Sequence, residues 1–139
     1  MSDGDDLDRG YHPSAAYLNT RFLNSPSARG LRILSEYVEP EARFRNYDIA
    51  DTLVFFGSAR ILPKDEAERR LQAARDHGGD VARAEMAVTM SRYYEEAREL
   101  ANRLTTWSKG LSCTQKRFIV CSGGGPGIME AANRGASEA

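Results

Sequence analysis

A chain of 139 residues suits one ordinary domain, and 41% apolar with 28% charged residues is the composition of a globular protein, not of a fibrous or membrane one. No apolar run approaches the roughly 18 to 20 residues of a spanning helix, and acids stand at the N-terminus where a signal peptide would be basic and then apolar, so a cytoplasmic protein without a membrane partner is expected. A formal net charge of −1 gives no long-range pull on nucleic acid and argues against a polynucleotide partner.

Residues 1–26 read as an acidic leader. Asp3, Asp5, Asp6 and Asp8 come with glycine and little to bury, so Met1 to His12 should be mobile. Residues 27–48 read as an N-terminal helical segment in which Leu31, Leu34, Val38 and Ala42 recur at helical spacing, with Ser27 as N-cap and an interruption or bend near Pro40. Its expected role is packing or contact between subunits.

Residues 49–139 carry the chemistry. Thr52 to Phe56 is β-branched and aromatic and nearly continuous in hydrophobicity, which predicts a strand buried on both faces of a helix-covered parallel sheet. Asp65 to His77 has Ala67, Leu71 and Ala74 at helical spacing, and Gly78 with Gly79 stops it. Asp80 then caps a longer helix whose stripe of Met90, Tyr93, Tyr94, Ala97, Leu100, Ala101 and Leu104 predicts a core face, the tyrosines being packing residues. Phe118 to Cys121 is a second short strand, Ser122 to Gly127 a glycine-rich turn, and Ile128 onward the start of a helix. Strand, crossover and strand make a βαβ unit, and its turns at Gly57 to Arg60 and Gly123 to Gly127 should form two walls of one crevice. Cys113 and Cys121 are too few for a disulfide scaffold, and neither they nor His12 and His77 have metal-ligand spacing, so no metal is expected.

The glycine turn is the strongest chemical signal. Glycines let backbone amides approach an anion closely, and the following helix aims unpaired N–H groups and its positive dipole end at the same point. A dinucleotide fingerprint beginning at Gly123 would require glycine at 128, where the chain has Ile128, and no lysine follows the turn as a Walker A loop requires. What remains is a triple glycine with Pro126 at the expected first helical position, a geometry suited to a monophosphate or pyrophosphate. The alternative is a tight strand-to-helix turn that serves packing alone. Arg60 follows the first strand where a guanidinium could fork onto phosphate oxygens, or it is a surface arginine; Ser58 donates a hydroxyl or caps a turn. Arg134 reads more simply as a solvent-facing residue.

Phe-Phe-Gly-Ser-Ala-Arg at 55–60 and Ser-Gly-Gly-Gly-Pro-Gly-Ile-Met-Glu-Ala-Ala-Asn-Arg-Gly-Ala at 122–136 resemble the LOG ("lonely guy") family, also labelled "possible lysine decarboxylase". The helix text from Tyr94 to Ala101 also fits, and the resemblance spans about Leu53 to Ala136. It implies a modified Rossmann-like parallel sheet with flanking helices, a nucleoside monophosphate ligand and a homodimer. It further implies hydrolysis of the N-glycosidic bond of AMP or a cytokinin riboside 5′-monophosphate to base and ribose 5-phosphate. Phosphate binding transfers onto Gly57, Ser58, Gly123, Gly124, Gly125 and Gly127, with Arg60 less directly. The family's second signature, Pro-Gly-Gly-x-Gly-Thr-x-x-Glu with its preceding arginine, carries the catalytic groups and does not occur in these residues. No catalytic residue is therefore assigned, and the chain reads as an incomplete, N-terminal part of the fold. Lysine decarboxylation would need pyridoxal phosphate on a lysine; nothing suggests such a site, and no cofactor is expected. A molybdenum-cofactor carrier of the same superfamily, sharing the glycine turn without nucleosidase chemistry, is the alternative function, and a fragment without ligand affinity is a third.

Overall fold

Asn19 accepts the Phe22 amide at 3.0 Å through its side-chain oxygen and so caps a short helix, α1 (Thr20–Leu23), just after a 3-10 turn at Ala16–Leu18. Part of the expected leader is therefore helical. The computed structural model describes residues 15–139, so the run from Met1 to His12 lies outside the described residues. The chain divides into two units, Met1–Arg43 and Phe44–Ala139, a little before the boundary expected near residue 48.

In the first unit, Arg32 donates through Nη1 to the carbonyls of Leu23 and Ser25, at 2.5 and 2.7 Å, and secures the turn after α1. Ser27 is not an N-cap; it sits inside a 3-10 turn, Pro26–Ala28, that leads into α2 (Arg29–Asn46). Nor does Pro40 interrupt α2. Proline removes one N–H from the ladder, and Glu36, whose carbonyl loses that partner, is exposed on the helix. The predicted stripe is real as a pattern but not as a core: Leu31, Leu34 and Val38 are exposed, and with Tyr17, Phe22 and Leu23 they line an apolar groove of about 770 Å³.

The second unit is mixed α/β around a two-stranded parallel sheet. Strands β1 (Thr52–Phe55) and β2 (Ile119–Ser122) pair with Thr52 opposite Ile119 and Phe55 opposite Ser122. Between them come α3 (Lys64–His77), ended by Gly78 at φ 73°, and α4 (Val81–Lys109), capped by the Asp80 carboxylate on the Arg83 amide at 2.9 Å; α5 (Ile128–Glu138) follows β2. These caps match the sequence expectation. Burial of β1 on both faces does not: Leu53 and Phe55 are half-buried, but Val54 is 64% and the following Phe56 82% exposed. The helices that touch the strands are α4 and α5, and they leave the Val54 side open.

Small residues hold this unit together. Ala101 of α4 and Ala131, Ala132 and Gly135 of α5 are buried, and a Cβ at Gly135 would collide with the Arg98 carbonyl oxygen. Helices meeting at backbone range gain dispersion contacts with little side-chain entropy to lose. Tyr94 is the large side chain fully buried here; Tyr93 and Leu100, from the same predicted stripe, are exposed. Arg98 forks onto the Glu138 carboxylate, and Asn102 donates to the Gly135 carbonyl at 3.2 Å. The start of α3 is tied to α4 by the Lys64 amide, which donates to Glu95 at 3.0 Å.

At the entry to β2, the Asp51 carboxylate takes both Arg117 and the Phe118 amide. Phe118 adopts φ 55° to make that bond and so starts no strand; its ring lies 5.0 Å from that of Trp107. The hydrogen bond from Arg117 first, and then that from the Phe118 amide, holds the Asp51 carboxyl below its ordinary value. None of the helices among the described residues is long and apolar enough to cross a membrane.

Gly135→Val should destabilise the second unit by about 2 kcal/mol or more, read by urea unfolding, because backbone blocks the added carbons; an unchanged midpoint would refute the close seam. A lowered folded-state pKa at Asp51 stabilises above the unfolded value of about 3.9, and that stabilisation is lost as pH falls through the lower folded value. Asp51→Asn should therefore weaken the fold at neutral pH and make it less sensitive to acidification from about pH 5 to about pH 3, measured as the urea midpoint at each pH.

Candidate anion-binding site

Because Phe55 stands opposite Ser122, the two strands end level and their loops leave from one edge of the sheet. The loops then meet. Gly127 has φ 74°, and a Cβ there would run into the Ser58 carbonyl oxygen and lie 3.0 Å from the Ala59 backbone. Its neighbour Ile128 donates its amide to that same Ser58 oxygen at 3.3 Å, and a Cβ on Gly57 would meet Ile128 at 2.9 Å. The crevice walls predicted from sequence are thus joined at Gly57, Ser58 and Gly127.

Gly127 is the N-cap of α5, so Pro126 precedes the cap and is not the first helical residue. Proline's fixed φ serves here to aim the chain into a left-handed cap. Of the first-turn amides, that of Ile128 is occupied by Ser58, while those of Met129 and Glu130 carry no hydrogen bond among the described residues. The amide of Gly125 is also open, whereas that of Gly124 donates to the Ser122 hydroxyl at 3.2 Å. That hydroxyl donates in turn to Asn133 Oδ1 at 2.9 Å, which ties the turn to the second turn of α5. The Ser58 hydroxyl accepts the Arg60 amide at 3.2 Å and fixes the opposite loop. Met129 lies along the turn, its sulfur 3.5 Å from where a Gly123 Cβ would be and its methyl 2.5 Å from a Gly125 Cβ.

A cavity of about 550 Å³ opens here, lined by Gly124, Gly125, Glu130, Asn133 and Arg134 among others. Arg134 is not merely solvent-facing. Its Nη1 donates to the Tyr94 hydroxyl at 3.2 Å, and its Nε lies 3.7 Å from the Glu130 carboxylate. Burial raises the Tyr94 phenol above its ordinary value against the opposing effect of Arg134, so it stays neutral and anchors the guanidinium at the rim.

Of the sequence-predicted residues, Gly57, Ser58 and Gly127 meet at the loop junction, and Gly124 and Gly125 line the cavity; Gly57, Ser58, Gly123 and Gly127 do not line it. Arg60 does not line this cavity; it borders another, of about 740 Å³, that meets the turn at Pro126. Sequence reasoning missed Ser122, Asn133 and Tyr94. The readable signal was the placement of Asn133 one helical turn beyond Glu130, on the same face. Cys113 is exposed and Cys121 half-buried, and no group of His, Cys, Asp and Glu suited to a metal ion occurs among the described residues. No protein-family model, curated protein or solved structure matches the chain.

Gly127→Ala combines a left-handed backbone with a collision against Ser58. It should cost about 3 kcal/mol in urea unfolding. A loss below about 1 kcal/mol would show that the loops are not locked together at this point.

Proposed function

We propose that the second unit is the phosphate-gripping part of a modified Rossmann-like domain, and that the chain is a LOG-like nucleotide-binding protein whose ligand is a nucleoside 5′-monophosphate such as AMP or a cytokinin riboside monophosphate. One observation supports the reading: next to the interlocked strand-end loops, Gly125 and Glu130, whose amides carry no hydrogen bond among the described residues, line an open cavity at a helix start. Amides and the positive end of a helix dipole hold a phosphate without a lysine. Arg134 offsets the Glu130 charge and gives the rim a guanidinium.

In the parent reaction, hydrolysis of the N-glycosidic bond would need a carboxylate facing the ribose as oxocarbenium-like charge develops. Glu130 is the carboxylate of the cavity lining, and Arg134 already engages it. The cradle is therefore assigned to binding and the chemistry to the Pro-Gly-Gly-x-Gly-Thr-x-x-Glu motif, which these residues do not contain. Assembly of the full-length protein as a homodimer and a cytoplasmic location belong to the same proposal. The lack of an unengaged carboxylate equally favours a second reading, a carrier of a phosphorylated cofactor such as the molybdenum cofactor.

Calorimetric titration tests the cradle. AMP should bind at least about tenfold more tightly than adenosine, equivalent to about 1.4 kcal/mol from the phosphate; equal affinities would sink the reading. Gly124 has φ 71° and open space around it, so Gly124→Val should abolish AMP binding through backbone strain while the far-UV dichroism stays similar. The 139 residues alone should release no adenine from AMP, and measurable release would overturn the assignment of chemistry to the absent motif.

A further inference from the structure

The cavity that Arg60 borders differs in kind from the glycine-turn cavity. Its volume is about 740 Å³, and its wall is apolar, with Ile61, Leu62, Ala87 and Met90. Arg60, Arg70 and Arg83 stand around it against one carboxylate, Asp80. Arg70 is held by Glu66 at 2.6 Å, and Asp80 is engaged in capping α4. The guanidiniums of Arg60 and Arg83 have no hydrogen bond or ion pair among the described residues. Uncommitted guanidiniums beside an apolar wall match a ligand with an apolar body and an anionic end: the wall gains by burying carbon, and the guanidiniums form charge-assisted forked bonds.

We infer that this cavity, bordered by Arg60 and Arg83, is a second binding site, separate from the glycine turn, for a small organic anion with an aromatic or branched apolar body. Pro126 lines both cavities and is the partition between them.

The test is calorimetric titration of the 139-residue chain with 1-naphthoate, an apolar anion without the phosphate group proposed for the glycine turn. Binding should be one to one, about tenfold weaker for acetate and for 1-naphthol, and about tenfold weaker again in the Arg60→Gln, Arg83→Gln double variant. Both side chains are exposed, so the variant keeps the fold, checked by far-UV dichroism. Gly124→Val and saturating AMP should leave the probe affinity unchanged. Wild-type affinity in the double variant, or displacement of the probe by AMP, would overturn the inference. A chain that binds the probe but not AMP would support this site while sinking the glycine-turn reading.

Discussion

The second unit depends on the meeting of two backbones, Gly127 against Ser58. Parallel register brings the strand ends level, but level ends only make a crevice if the loops beyond them are fixed to one another. Here no side chain intervenes: the Ile128 amide binds the Ser58 carbonyl, and the space a Cβ would need at Gly127 is already filled by the other loop. A contact of this kind is stiff because neither partner has rotamers to explore. It fixes where α5 begins, and hence which of its faces turns toward α4.

That face is built for close approach, and the two constraints reinforce each other. Ala131, Ala132 and Gly135 let α5 descend onto α4 until Gly135 meets the Arg98 backbone, and the Arg98 to Glu138 pair then fixes the far end. A strand pair of four residues each has few ladder bonds of its own. It is held at both ends instead: by the loop junction after β2 and, before it, by Asp51 gripping Arg117 and Phe118. The Ser108 hydroxyl, donating to the Arg117 carbonyl at 2.9 Å, ties the end of α4 into the same knot.

Local chemistry made most of this architecture readable. The β-branched run at Thr52, the stop at Gly78, the cap at Asp80 and the glycine turn each act within a few residues, and each falls where the sequence puts it, within a residue or two. The misses have a common cause in contacts between distant positions. Phe118 looks like strand, yet it turns left-handed to reach Asp51, far earlier in the chain. Val54 looks buried because strand composition does not reveal which faces helices will cover. Arg60, on the expected loop, borders the neighbouring cavity and not the one at the glycine turn. Pro40 shows the opposite case, in which a strong local rule yields on a helix where Glu36, the residue that loses its partner, is exposed.

The electrostatics at the glycine turn follow from the same packing. Arg134 lies between a buried, neutral phenol and a carboxylate, so its charge is partly spent before any ligand arrives. Glu130 and Arg134 nearly cancel at a distance, which leaves the oriented amides of the turn and the α5 dipole as the local attraction for an anion. Such partial charges act over a single helical turn, and they select by fit where a free lysine would select by charge. Under the proposed phosphate reading, rigidity at the Gly127 junction would be a condition of recognition: amides that cannot move need no reordering when a phosphate arrives, and amides left free to move would lose much of their advantage over water.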